Sequence, residues 1–131
     1  MKLRIFIKLS DKDELEVSGD TYFIRYFLKY KFFKWNANER KWILKDGHLV
    51  IDELLELLEN MGLKCSEVRE KEWICEGETS RKRVIDVITD AIYQEQAYVR
   101  GYDVITDGIF ETRRKLYESI RRSVEKSLKN Y

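Results

Sequence analysis

The chain has 131 residues, which makes a single domain the first expectation. It carries 25 Lys+Arg against 24 Asp+Glu; 44% of all residues are hydrophobic and 13% of all residues are aromatic. That balance supports a buried core and excludes intrinsic disorder. There is no apolar run of about 18 residues to span a membrane. The opening Met1-Lys2-Leu3-Arg4-Ile5 reads as a strand rather than a signal peptide, and a location in the interior of a (host) cell, the cytoplasm, is expected. Two cysteines are too few for a secreted disulfide scaffold or a four-ligand zinc site. The lack of proline and the wealth of Lys, Glu, Ile and Tyr fit a thermophile, and fit AT-rich coding equally well.

In chain order, Leu3, Ile5, Ile7 and Leu9 alternate with Lys2, Arg4, Phe6 and Lys8, the period of a strand with one buried face. Asp11-Lys12-Asp13 is a turn, and Leu15 and Val17 give a short return strand. Gly19-Asp20-Thr21 breaks the chain and offers an N-cap, and Tyr22 to Phe32 reads as a helix with Phe23, Phe27 and Tyr30 on one stripe. A hairpin follows. Phe33-Lys34-Trp35 and Lys41-Trp42-Ile43-Leu44 flank a polar turn, with Trp35 expected opposite Arg40, Lys34 opposite Lys41 and Phe33 opposite Trp42. That puts Phe33, Trp35, Trp42 and Leu44 on one face, and Lys34, Lys41 and Lys45 on the other. Leu49 to Met61 is a helix closed by Gly62. Strands at Leu63–Arg69 and Glu72–Glu76 then form a tight hairpin.

The second half is helical in pattern. Asp86 to Tyr93 recurs as Asp103 to Phe110, at an offset of 17, with six of eight positions identical. Two helical segments broken near Arg100-Gly101 are expected, with a hairpin around Asp107-Gly108 as the competitor. In the last helix, about Ile109 to Asn130, Glu111, Glu118 and Glu125 precede Lys115, Arg122 and Lys129 by four residues. Arg113, Arg114, Arg121 and Lys126 are left without such a partner. Phe110, Tyr117, Ile120, Val124 and Tyr131 form an apolar stripe for the domain or for a second copy.

Signals for catalysis are poor, and no enzyme activity is expected. His48 is the single histidine, at a turn-to-helix junction that suits a polar structural role. Cys65 and Cys75 lie in paired strands, where packing or a cross-strand disulfide is favoured over nucleophilic chemistry. Glu39-Arg40-Lys41 matches a nuclease fragment too common to carry weight, and the acids show no metal-ligand spacing. No cofactor and no metal are expected, and no glycine-rich phosphate loop is present.

Binding signals are better. Residues 22–45 hold seven bases against one acid and nine of the aromatics, while residues 46–78 hold ten acids against three bases. Unpaired nucleobases stack on aromatic rings while Lys and Arg neutralise the phosphates between them. Lys31, Lys34, Trp35, Arg40, Lys41 and Lys45 are the candidates here, with Trp42 assigned to the core and Trp35 divided between core and contact. Arg81, Lys82 and Arg83 stand in a first helical turn, where bases gain nothing from the helix dipole and suit an anion instead. Arg113, Arg114 and Arg121 complete the candidate set.

In size, element order, the Lys/aromatic run Lys31-Phe32-Phe33-Lys34-Trp35 and the basic tail with Arg113-Arg114-Lys115, the chain resembles the small single-stranded-DNA-binding proteins of rod-shaped archaeal viruses. The Lys34-Trp35…Lys41-Trp42 hairpin is also similar to accessory DNA-binding modules of annealing helicases. The viral resemblance implies a homodimer without an oligonucleotide-binding barrel, associated with a viral annealing ATPase and nuclease. The expected fold is α+β: a small, mostly antiparallel sheet with two helices (1–78), then a helical C-terminal half (79–131). The expected function is sequence-independent single-stranded DNA binding in viral replication or recombination. A protein-interaction role through the acidic helix Leu49–Met61 is the alternative, and a nuclease a distant third.

Overall fold

The computed structural model describes residues 1–101 and 107–129, with side chains from residue 112 onward in the second stretch. The fold is α+β, a six-stranded antiparallel open sheet with four helices and a helical C-terminal half. The strands are β1 (Lys2–Leu9), β2 (Glu14–Gly19), β3 (Lys34–Asn36), β4 (Lys41–Lys45), β5 (Lys64–Arg69) and β6 (Glu72–Glu78), in the spatial order β3-β4-β2-β1-β6-β5. The helices are α1 (Arg25–Tyr30), α2 (Ile51–Asn60), α3 (Arg81–Val99) and α4 (Asp107–Ser127). Two compact units, Met1–Val84 and Ile85–Tyr131, divide the chain. Among the described residues no helix is long and apolar enough to cross a membrane.

The period-two pattern of β1 does what its sequence dictates. Leu3, Ile5 and Ile7 are buried, while Lys2, Arg4, Phe6 and Lys8 are exposed. Leu15 and Val17 of β2, Trp42 of β4 and Cys75 of β6 continue the buried face. Phe27 and Leu28 of α1 and Leu54, Leu57 and Leu58 of α2 complete this core. The opposite face is open and laced with cross-strand ion pairs. Arg4 meets Glu76 at 3.3 Å, Lys8 meets Glu72 at 3.8 Å, and Lys41 meets Glu16 across the sheet. In β5–β6, Cys65 and Cys75 stand directly opposite and are disulfide-bonded, the outcome favoured over nucleophilic chemistry.

Two expectations need correction. The segment 22–32 is not one helix: a 3-10 turn at Tyr22–Ile24 precedes α1, which ends at Tyr30. Thr21 makes no side-chain cap there, because its hydroxyl instead accepts the indole N–H of Trp42 at 3.2 Å. The β3–β4 register is displaced by two, pairing Trp35 with Trp42, Asn36 with Lys41 and Lys34 with Ile43. The Asn36 side chain accepts the Glu39 N–H at 3.1 Å, and Arg40 takes a left-handed φ of 54°. Arg40 is thereby held in the turn and cannot pair as a strand residue. An even shift keeps each side chain on its expected face. The two expected helical segments are present: Asp107-Gly108 begins α4, so the competing hairpin at that pair does not form. α3 ends just before Gly101, whose φ is 71°, as the break at Arg100-Gly101 requires. The rest of the second repeat copy, 103–106, lies outside the described residues.

In the second unit, α3 and α4 are joined by polar contacts. Arg121 pairs with Asp86, and Arg113 donates to the Tyr93 hydroxyl at 2.9 Å. The Tyr93 and Tyr117 rings meet edge to face, 5.5 Å apart. Burial, then a hydrogen bond to Asp90, pushes the Tyr117 phenol above its ordinary value. Ile120 and Val124 are buried within the single chain, which removes them from a surface stripe; the Phe110 and Tyr131 side chains lie outside the described residues.

Candidate nucleic-acid interface

The β3–β4 hairpin and the segment entering α1 form a groove on the helix side of the sheet edge. Its lining is Gly19, Thr21, Tyr22, Arg25, Lys29, Trp35 and Trp42, around a volume of about 470 Å³. Each part is placed by local chemistry. Trp42 is 7% exposed and anchored by its bond to Thr21. Trp35, its register partner on the edge strand, is 48% exposed, with ring centroids 5.3 Å apart. Gly19 has a φ of 91°, and a side chain there would stand 2.5 Å from the Arg4 carbonyl oxygen. The close crossing of β1 and β2 at the groove therefore requires glycine. Tyr22 of the 3-10 turn and Arg25 and Lys29 of α1, the last two one turn apart, line the same side of the groove. The Arg25 guanidinium lies 3.9 Å from the Tyr22 ring centroid, in cation–π contact.

The groove thus has aromatic walls and two cations, with no acid in its lining. A hollow on the open face is different: Lys8 and Lys41 line it together with Glu16 and Glu72, beside Phe6 and Ile74. Bases and acids neutralise one another there, which leaves no site for a polyanion.

The sequence candidates distribute unevenly over this geometry. Trp35 alone of them lines the groove. Lys34 and Lys45 are exposed, but they point with Lys41 to the open face. Arg40 is exposed at the hairpin tip. Lys41 is engaged by Glu16 and, at 2.6 Å, by Glu39, and these bonds raise its pKa. Lys31 lies 2.8 Å from Glu53 of α2. Arg81 and Lys82 are exposed in the first turn of α3; in the same turn Arg83 bonds the Asn60 carbonyl at 3.1 Å, and Ser80 caps the Arg83 N–H.

In the last helix three of the bases expected to lack a partner have one; the expected Glu111–Lys115 pair lies outside the described side chains. Arg114 pairs with Glu118 at 2.9 Å, and Arg121 with both Asp86 and Glu125. Arg121 is drawn onto α3 by Asp86, so Glu125 completes that cluster rather than reaching forward to Lys129. Arg113 is held by Tyr93. His48 contacts Asp13, its ring and its backbone N–H both reaching that carboxylate, which is the structural role expected of it. Among the described residues no cluster of three or more His, Cys, Asp or Glu is placed to hold a metal.

Sequence reasoning missed Tyr22, Arg25 and Lys29. Their spacing was visible, but the aromatic stripe of the same helix drew the reading toward the core. Comparison with family models, curated proteins and solved structures finds no match for this chain.

Proposed function

We propose that the protein binds single-stranded DNA without sequence specificity, through the groove between the 3-10 turn, α1 and the β3–β4 hairpin. The observation that carries this reading is a half-exposed Trp35 tilted against buried Trp42, in a groove lined also by Tyr22, Arg25 and Lys29 with no acid among them. An aromatic platform takes the face of any unpaired base, and two cations at the rim take backbone phosphates. Paired bases hide those faces, so a duplex gains only the charge contacts.

Fluorescence titration of an oligothymidylate, its RNA counterpart and a duplex of equal length, at two salt concentrations, tests this. The single strand quenches Trp35 and binds more tightly than the duplex. Equal or tighter duplex binding would replace the stacking groove with a reader of duplex backbone. Equal affinity for RNA would widen the ligand to single strands in general, since stacking does not sense the 2′-hydroxyl.

A further inference from the structure

α1 and α2 end in the same way, with one difference in residue choice. At α2, the Gly62 N–H bonds the Glu59 carbonyl and the Leu63 N–H bonds the Leu58 carbonyl, with Gly62 at φ 100°. At α1, the Phe32 N–H bonds the Lys29 carbonyl and the Phe33 N–H bonds the Leu28 carbonyl, with Phe32 at φ 69°. Both are Schellman closures, in which the left-handed position is ordinarily glycine. The apolar partners of the motif, Leu28 and Phe33 at α1, and Leu58 and Leu63 at α2, are buried in both.

Phe32 therefore violates two rules at one residue. A bulky side chain occupies a backbone region that disfavours it, and that side chain is 82% exposed to solvent. Glycine would close the helix better and hide the apolar surface. Among the described residues the fold gains nothing visible from the ring, which points to a use outside it. The sequence places it between two groove residues, three after Lys29 and three before Trp35. Exposed Lys29 and Lys34 flank it. Three residues of backbone reach at most about 11 Å, so the Phe32 and Trp35 backbones lie within that distance of each other.

We propose that Phe32 is a second base-stacking platform, which takes the nucleotide next to the one held at Trp35. The proposal rests on the single-strand reading of the groove. It makes the binding site at least two nucleotides wide, with Lys29 of the groove, three residues before Phe32, for the intervening phosphate.

The test is Phe32→Gly, with Phe32→Trp and Trp35→Ala as companions, in thermal melts and in titrations with an oligothymidylate of about ten nucleotides, a length within the 4–16 nucleotides one small binding fold covers. Phe32→Gly melts higher than the parent, because glycine fits the left-handed closure, and binds about 5- to 150-fold more weakly, the loss of one stacked base. Phe32→Trp retains parental affinity. A Phe32→Gly variant that binds like the parent while Trp35→Ala binds weakly overturns the second platform and leaves the groove standing. A variant that melts lower shows that the ring packs against the fold, and overturns the proposal as well. Failure of the parent itself to bind single strands removes the groove reading and this platform together.

Discussion

Two tryptophans face each other across one strand pair and do different work. Trp42 is buried and hydrogen-bonded, while Trp35 presents half its surface to solvent. Trp42→Ala leaves a cavity and an unpartnered Thr21 hydroxyl, so it costs about 3–5 kcal/mol of stability in chemical denaturation. On the proposed single-strand reading, Trp35→Ala removes one platform and is expected to cost about 1–3 kcal/mol of oligothymidylate binding with the melting temperature nearly unchanged. A large drop in stability for Trp35→Ala with intact affinity would assign that ring to the core. The sequence distinguished the two rings only by distance from the hairpin tip. The true register, which puts them opposite, depends on the Asn36 turn and on the left-handed Arg40, and neither leaves a hydropathy signal.

At the scale of elements, β1, β2 and α2 were legible because each satisfies one period between clear turns, and the β5–β6 hairpin because a tight charged turn joins its strands. α1 was legible as helix but not in length or ending, since nothing in Phe32-Phe33 announces a closure that usually carries glycine. The pairing of α4 was also misread. Glu118 and Glu125 each have a base on both sides, and only the position of Asp86 on α3 decides which one Glu125 serves. The β2–β4 pairing carries a testable consequence. Lys41, once a candidate phosphate contact, is held by Glu16 first and Glu39 second, and its pKa rises above the ordinary 10.5. A group with a raised folded-state pKa binds its proton more tightly when folded. Its contribution is fully present below about pH 10.5 and is lost as pH climbs through the folded value. Lys41→Met is therefore less stable than the parent between pH 7 and 9, and the gap closes in strong alkali. Melts across pH check this; a gap that does not change with pH would mean that Lys41 stabilises by packing alone.

Across the molecule, the charge blocks of the sequence are partly cancelled by the fold. Acids from residues 46–78 reach across to bases elsewhere: Glu53 to Lys31, Glu72 to Lys8 and Glu76 to Arg4. Glu16 and Glu39 take Lys41. The six-charge excess of residues 22–45 is thereby reduced, and other bases of that segment divide between two sides of the sheet edge. Arg25 and Lys29 stand over aromatic walls in the groove, whereas Lys34 and Lys45 stand on the open face, where β4 pairs with β2 and its acids Glu14 and Glu16. Each phosphate neutralised on a single strand steepens the fall of log K with log salt by about 0.7. Arg25→Gln with Lys29→Gln should therefore reduce that slope by roughly 1.4. Lys34→Gln with Lys45→Gln should reduce it less, because acids of the same face already screen those bases. Affinities measured from low to moderate salt separate the two pairs. If the larger loss of slope follows Lys34 and Lys45, the strand runs over the open face, the groove is not its path, and the ion pairs between β1, β2, β4 and β6 would have to open to admit it.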